Sequence, residues 1–206
     1  VKQLGGKASF DVFAYRAIDL APEQRAAVLA AITEMLDRHP GDEQLLFSRA
    51  VLLEHSNQLP EALVIAEKLL TISEKPNVVV LKVRILDSMQ REEDAIAYLT
   101  GVVAVPEPDR RLQLILARML FEEGDLEAAK VQYNNALSVS PNDGDVLFAL
   151  ALIALEQGDD LQAQEHLERM VRWNRRSGEA HYYLGGIAER RSDTVGALQE
   201  YAMAGE

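Results

Sequence analysis

GDLEAAKVQYNNALSVSPND, residues 124 to 143, combines small residues with one aromatic side chain and ends close to a proline. Gly124, Ala129 and Ala136 are small enough to let two helix backbones approach closely, and Tyr133 can fill the space beside them. Gly124 can adopt the positive φ of a tight turn, whereas Pro141 cannot continue a helix interior. The stretch therefore predicts a closely packed helix that begins after a turn and ends before Pro141.

The same order of residue types returns every 34 residues along the chain. Each set has a loop residue, a small residue five positions later and a packing residue four positions after that: Asn57, Ala62, Ala66; Gln90, Ala95, Leu99; Gly124, Ala129, Tyr133; Gly158, Ala163, Leu167; Ser192, Ala197, Tyr201. The interval from Asn57 to Gln90 is one residue shorter, and we place the missing residue in the loop around Pro76. Val28, Ile32 and Met35 indicate a sixth, degenerate set. Four sets in one register indicate a helical repeat rather than chance.

This pattern resembles the tetratricopeptide repeat (TPR) family, whose repeat of about 34 residues is a helix–turn–helix. The resemblance implies an all-α fold, a right-handed superhelical solenoid of antiparallel helix pairs with about 11 to 12 helices. Repeats are expected within a single segment, 1–206, at 9–42 (degenerate), 43–75, 76–109, 110–143, 144–177 and 178–206. Two residues depart from the family pattern, since Lys82 replaces an apolar residue and Arg175 stands where a proline usually ends the repeat.

The ends of the sequence lead to an expectation about the whole protein. No amphipathic helix follows the last helix pair, and solenoids normally need polar capping elements. We therefore expect the chain to be a fragment of a longer protein.

Composition argues against several classes of function. The 206 residues carry a net charge of −12, which opposes sequence-independent binding to nucleic acid or anionic lipid. The basic segment RWNRR, Arg172–Arg176, is the one local exception, and it falls where a helix C-terminus favours cations. No apolar run reaches the roughly 20 residues of a transmembrane helix. We expect neither a nucleic-acid partner nor a transmembrane segment.

No residue pattern in the chain indicates catalysis. There is no cysteine, and none of His39, His55, His166 and His181 has a partner at the spacing of a metal site. No phosphate-binding loop or nucleophile elbow is present. The prediction is no enzyme activity, no catalytic residues, no metal and no cofactor.

The family resemblance implies a binding groove lined by the first helix of each repeat. Carried over by position, the groove residues are Phe47, Val51, Glu54, Val80, Arg84, Asp87, Leu114, Arg118, Phe121, Phe148, Leu152, Leu155, Tyr182 and Glu189. An apolar and aromatic stripe flanked by charges suits an extended peptide or an amphipathic helix. Val80 and Leu114 fit the core between repeats equally well, whereas exposure is favoured for Phe47, Phe148 and Tyr182.

The resemblance implies a noncatalytic scaffold or adaptor for a protein or peptide partner. The Ala- and Leu-rich repeats also resemble the long TPR lipoproteins of Gram-negative envelopes, including the type that partners a carboxyl-terminal processing protease. That likeness implies a protease adaptor that presents substrates, located in the periplasm and anchored to the outer membrane. Two alternatives stay open: a cytoplasmic assembly scaffold, and the TPR arm of a transferase whose catalytic domain lies outside this segment.

Overall fold

The structure, a computed structural model, describes residues 18–173 and 178–205. These residues form eleven α-helices and no strand, which confirms the all-α prediction. In chain order the helices are α1 (Pro22–Arg38), α2 (Glu43–His55), α3 (Leu59–Leu70), α4 (Pro76–Ser88), α5 (Glu92–Val103), α6 (Arg110–Glu123), α7 (Leu126–Val139), α8 (Gly144–Glu156), α9 (Asp160–Trp173), α10 (Gly178–Arg190) and α11 (Thr194–Ala204).

The chain divides into two compact units, Val1–Val105 and Pro106–Glu206. We call them the N-terminal unit, with α1 to α5, and the C-terminal unit, with α6 to α11. In each unit a helix packs against the next along the chain, and the second helices α3, α7 and α9 each contact the first helix of their own repeat and of the following one. This packing is the predicted stacking of helix pairs; the prediction of a single segment over 1–206 stays a prediction.

The turn inside each repeat contains a residue with positive φ. These residues are Asn57 (58°), Gln90 (56°), Gly124 (87°), Gly158 (74°) and Ser192 (62°), the five loop residues aligned from the sequence. The register is therefore right from one turn to the next. The missing residue also lies where it was expected, since the loop over 71–75 is one residue shorter than the equivalent loop over 104–109.

Small residues are buried where two helices of a repeat meet. Ala129 and its equivalents Ala62, Ala95 and Ala163 are 0 % exposed. Gly185 shows why size matters, because a Cβ added there would lie 2.6 Å from Cε1 of Tyr201. The small residues thus set the distance between helices, as the stretch 124–143 predicts.

Aspartate caps hold the second helices of the C-terminal repeats. The Asp125 side chain accepts a hydrogen bond from the Ala128 N–H at 3.1 Å, and Asp159 accepts one from the Gln162 N–H at 3.0 Å. These bonds satisfy N–H groups that lack partners in the first turn of the helix.

The unexpected lysine is accommodated by its partners. Lys82 Nζ lies 3.3 Å from a Glu67 oxygen and 4.3 Å from the centre of the Tyr98 ring. Its stem can pack like an apolar side chain while the ammonium group meets a carboxylate and an aromatic face. Arg49 occupies the same position in the preceding repeat, and its Nη2 lies 2.5 Å from Glu61 Oε1. Cations therefore replace the buried leucines that the C-terminal unit has at this position.

Candidate protein-binding face

In the N-terminal unit, the expectation of an exposed groove is wrong for two residues. Phe47 is 5 % exposed and Val51 is 0 % exposed, so neither offers its side chain to a partner. The physical reason is the close approach of α2 to α1, α3 and α4, which enclose it. Val80 is half-buried and Asp87 is exposed.

Two predicted groove charges of this unit are paired with each other. Arg84 Nε donates to Glu54 Oε1 at 3.0 Å, and Arg84 Nη2 donates to Glu54 Oε2. A fork of two hydrogen bonds is the strong geometry for this pair, and the Glu54 side chain is only 10 % exposed. The pair therefore joins neighbouring repeats, from α2 to α4.

In the C-terminal unit, the predicted residues keep accessible surface. We call this set the C-terminal face: Leu114, Arg118, Phe121, Phe148, Leu152, Leu155, Tyr182 and Glu189. Tyr182 is 61 % exposed, Arg118 and Glu189 are exposed, and the five apolar side chains are half-buried. The face thus offers apolar surface with charges beside it.

Helical periodicity explains how this face is built. Leu114, Arg118 and Phe121 lie on one side of α6, because residues three and four positions apart share a side. The other side of α6 is buried, with Leu116 at 1 % and Ala117 at 0 % exposure. Since α7 packs against both α6 and α8, and α9 against both α8 and α10, the second helices cover the buried sides.

Aromatic rings form a cluster at the α8–α10 end of the C-terminal face. Phe148 and Tyr183 meet edge to face with ring centres 5.4 Å apart. The ring centre of Tyr182 lies 5.7 Å from the ring centre of Tyr183 and 5.7 Å from that of Tyr201. Tyr183 and Tyr201 are not among the predicted groove residues, although the adjacent tyrosines at 182 and 183 could have indicated an aromatic cluster.

A hydrogen bond fixes the edge of this cluster. The Tyr201 hydroxyl donates to Glu189 Oε2 at 2.8 Å. This bond to a carboxylate is the main cause that raises the pKa of Tyr201, because loss of the proton would bring two negative charges together. Tyr201 therefore stays a neutral donor and orients Glu189 at the rim of the face.

The charges around the α8–α10 end are mostly acidic. Asp145, Glu156, Glu179 and Glu189 are exposed on α8 and α10 and form no ion pair with any residue that the structure describes. These two helices carry one arginine and no lysine, and this residue, Arg190, is held by Asp160, whose oxygens lie 2.6 and 3.0 Å from its Nη2 and Nε.

Two other basic side chains of this unit also have acidic neighbours. The buried His181 of α10 has its Nδ1 2.7 Å from Glu200 Oε2 on α11, away from the exposed surface. Arg118 on α6 lies 3.8 Å from Glu122. The exposed charge on α8 and α10 is therefore negative on balance.

A separate cleft of about 630 Å³ lies in the N-terminal unit between α1, the end of α2 and the start of α3. Its arginines already have partners, since Arg25 Nη1 donates to the carbonyl oxygen of His55 at 3.4 Å and Arg49 pairs with Glu61. None of the predicted groove residues lines it.

The remaining expectations concern metals, membranes and nucleic acid. In the described ranges, no three His, Asp or Glu side chains are grouped as a metal site would require. No helix within those ranges is both long and apolar enough to cross a bilayer. Of the basic segment Arg172–Arg176, Arg172 and Trp173 are exposed at the end of α9, and 174–176 fall outside the described residues.

Stacked helix pairs with a 34-residue period define a helical-repeat protein, and comparison with known proteins identifies the family. Two family models, each described as "Tetratricopeptide repeat", match residues 81–137 and 120–187. The chain belongs to the tetratricopeptide repeat family.

One curated relative and two solved structures illustrate the likeness. The chain is 34% identical over 200 residues to "TPR repeat-containing protein PA4667" of Pseudomonas aeruginosa, covering 97% of this chain and 34% of that protein. The chain thus spans about a third of the length of that relative. Among solved structures, YrrB matches with a TM-score of 0.66 at 16% identity over 84% of this chain and 90% of its own. PilF of Pseudomonas aeruginosa matches with a TM-score of 0.65 at 15% identity over 93% of this chain and 88% of its own. Both structures show the fold.

Proposed function

We propose that the chain is a noncatalytic scaffold that holds a protein or peptide partner on the C-terminal face. The observation that carries the proposal is the apolar surface of that face, where Tyr182 is 61 % exposed and five further apolar side chains are half-buried. Contiguous exposed apolar surface rimmed by polar residues is typical of protein-binding sites. Tyrosine in particular contributes a large contact area and loses little conformational freedom on binding.

Membership of the repeat family supports the same role. YrrB is described as a TPR protein with an unusual peptide-binding site, and that site is a property of YrrB. Because this chain shares the fold, its first helices can present side chains to a peptide in a comparable way. The half-buried state of Leu114 and Val80 allows each to contribute both to packing and to exposed surface.

A photo-crosslinking experiment tests the proposal. p-Benzoylphenylalanine replaces Tyr182 in one variant and Val131, which is 56 % exposed on α7, in a matched control. Both variants are irradiated in extract of the source cells, and the products are identified by mass spectrometry. We expect a defined protein adduct from position 182 and not from position 131; the same adducts from both positions would refute binding at the C-terminal face.

A more specific role rests on the resemblance to envelope lipoproteins. In that role the partner is a carboxyl-terminal processing protease together with its substrates, and the protein acts in the periplasm at the outer membrane. The similarity to a protein of Pseudomonas aeruginosa, a bacterium with such an envelope, supports it. Co-elution of the purified chain with such a protease on size-exclusion chromatography is the expected result, and separate elution would favour the alternatives of a cytoplasmic assembly scaffold or a transferase arm.

A further inference from the structure

We propose that the α8–α10 end of the C-terminal face binds a basic peptide segment, in which a lysine or arginine lies next to apolar residues. The inference rests on the proposed function and adds the chemistry of the partner. Its basis is an exposed aromatic surface on two helices whose exposed charges are negative on balance.

The aromatic surface fits a cation with an apolar stem. Tyr182 contacts Tyr183 and Tyr201 at ring-centre distances of 5.7 Å and still exposes 61 % of its surface. An arginine or lysine that lies on such a ring gains both cation–π attraction and burial of its methylene groups. Leu152 and Leu155 on α8 are half-buried beside Phe148 and offer surface for an apolar neighbour of that cation.

The charges select a basic partner. Asp145 and Glu179 are the second residues of α8 and α10, while Glu156 and Glu189 lie at the other ends of the same helices. Two acidic rims therefore border the apolar floor, separated by about 15 Å at 1.5 Å of rise per residue. The only arginine or lysine on these two helices, Arg190, is engaged by Asp160. The field over the floor is negative, which attracts basic segments and repels acidic ones.

The phosphate backbone of nucleic acid carries the wrong sign for this surface. The four carboxylates on the rims would repel it, so the charge argues for a peptide and against DNA or RNA. A purely apolar partner helix would also leave these carboxylates without a cationic partner. Peptide selection distinguishes that case by the charge of the peptides recovered.

Selection from a phage-displayed library of random dodecapeptides on the immobilised chain tests the inference. The strongest peptide is then synthesised with a fluorescein label, and its dissociation constant is measured by fluorescence anisotropy. We expect enriched peptides with net positive charge and at least one apolar residue, and binding that weakens as sodium chloride is raised. Glu179→Gln with Glu189→Gln should weaken binding by about fivefold or more, because two carboxylates of the rims are neutralised.

A matched control changes the charge equally on another helix. Glu165→Gln with Glu168→Gln neutralises two exposed carboxylates of α9 and should leave the dissociation constant within about twofold of wild type. Circular dichroism of both double variants checks that helix content is retained.

The possible outcomes separate this inference from the proposed function. The preference for basic segments is overturned if neutral or acidic peptides are enriched or if no peptide is enriched. It is also overturned if the double variant of Glu179 and Glu189 binds the peptide as tightly as wild type does. The variant Phe148→Ala with Leu152→Ala addresses the face itself. If this variant loses binding while the double variant of Glu179 and Glu189 does not, only the inference of a basic partner fails. If this variant binds as wild type does, the C-terminal face is not the binding site, and both the inference and the proposed function fail.

Discussion

Replacement of Gly185 by alanine is expected to destabilise the C-terminal unit, although alanine is the better helix former. An added Cβ would lie 2.6, 2.7 and 2.9 Å from three ring atoms of Tyr201, closer than carbon atoms pack. Overpacking of this kind costs about 1 to 3 kcal/mol. Alanine in place of glycine inside a helix contributes about 1 kcal/mol in the other direction. The expected net loss is therefore about 0 to 2 kcal/mol of unfolding free energy.

The neighbouring glycine supplies a matched control in the same helix. A Cβ added at Gly186 would have no neighbour closer than 3.9 Å, so Gly186→Ala meets ordinary contacts and should stabilise by about 0.5 to 1 kcal/mol. The two substitutions should thus differ by about 1 to 3 kcal/mol in urea unfolding followed by circular dichroism. In a Tyr201→Ala background the ring is absent, and Gly185→Ala should become stabilising like its neighbour.

The refuting result is specific. If Gly185→Ala stabilises the wild-type protein as much as Gly186→Ala does, the Gly185–Tyr201 contact does not set the distance between α10 and α11. The same conclusion follows if the Tyr201→Ala background leaves the effect of Gly185→Ala unchanged.

Three further substitutions test the turns, the capping and the register. Gln90→Gly should stabilise by about 0.5 to 1 kcal/mol in urea unfolding, since φ is 56° there; a loss would contradict a left-handed turn. Burial alone would raise the pKa of Asp143, but the Val146 N–H and the Arg110 guanidinium outweigh it and lower the pKa. Because a lowered folded-state pKa stabilises above the unfolded value, Asp143→Asn should cost about 0.5 to 1 kcal/mol at pH 7. That cost should decrease as the pH falls below about 4, the unfolded-state pKa, toward the lowered folded-state pKa, and a constant cost from pH 7 to 3 would contradict it. Ala129→Leu should cost about 1 to 3 kcal/mol, and a neutral result would mean that the register is wrong.

The sequence predicts the architecture well because its signals are local. Turn residues such as Gly124, small residues such as Ala129 and caps such as Asp125 act within one helix pair, so the spacing of residue types is sufficient to place them. The exposure of first-helix residues depends instead on how closely successive first helices approach. The α2–α4 approach buries Phe47 and Val51, whereas within the described residues α8 approaches α6 and α10 less closely and Phe148 keeps accessible surface.

The sequence also does not predict which side chains pair with each other across helices. Lys82 departs from the family pattern, and only the structure shows that Glu67 and the Tyr98 ring receive its ammonium group. Likewise Tyr201 reads as a packing residue equivalent to Tyr133, yet its hydroxyl also donates to Glu189. Such pairs join residues about a dozen or more positions apart, and periodicity does not specify them.

The most direct test of the account is the affinity of the crosslinked partner for the double variant Phe148→Ala with Tyr182→Ala. We expect the dissociation constant to rise about tenfold or more, because two aromatic side chains of the face are removed. Val131→Ala with Leu161→Ala removes side chains that are 56 % and 74 % exposed on α7 and α9, and it should bind as wild type does. Equal affinity of the Phe148 and Tyr182 variant and wild type, with helix content retained in both, would contradict binding at the C-terminal face.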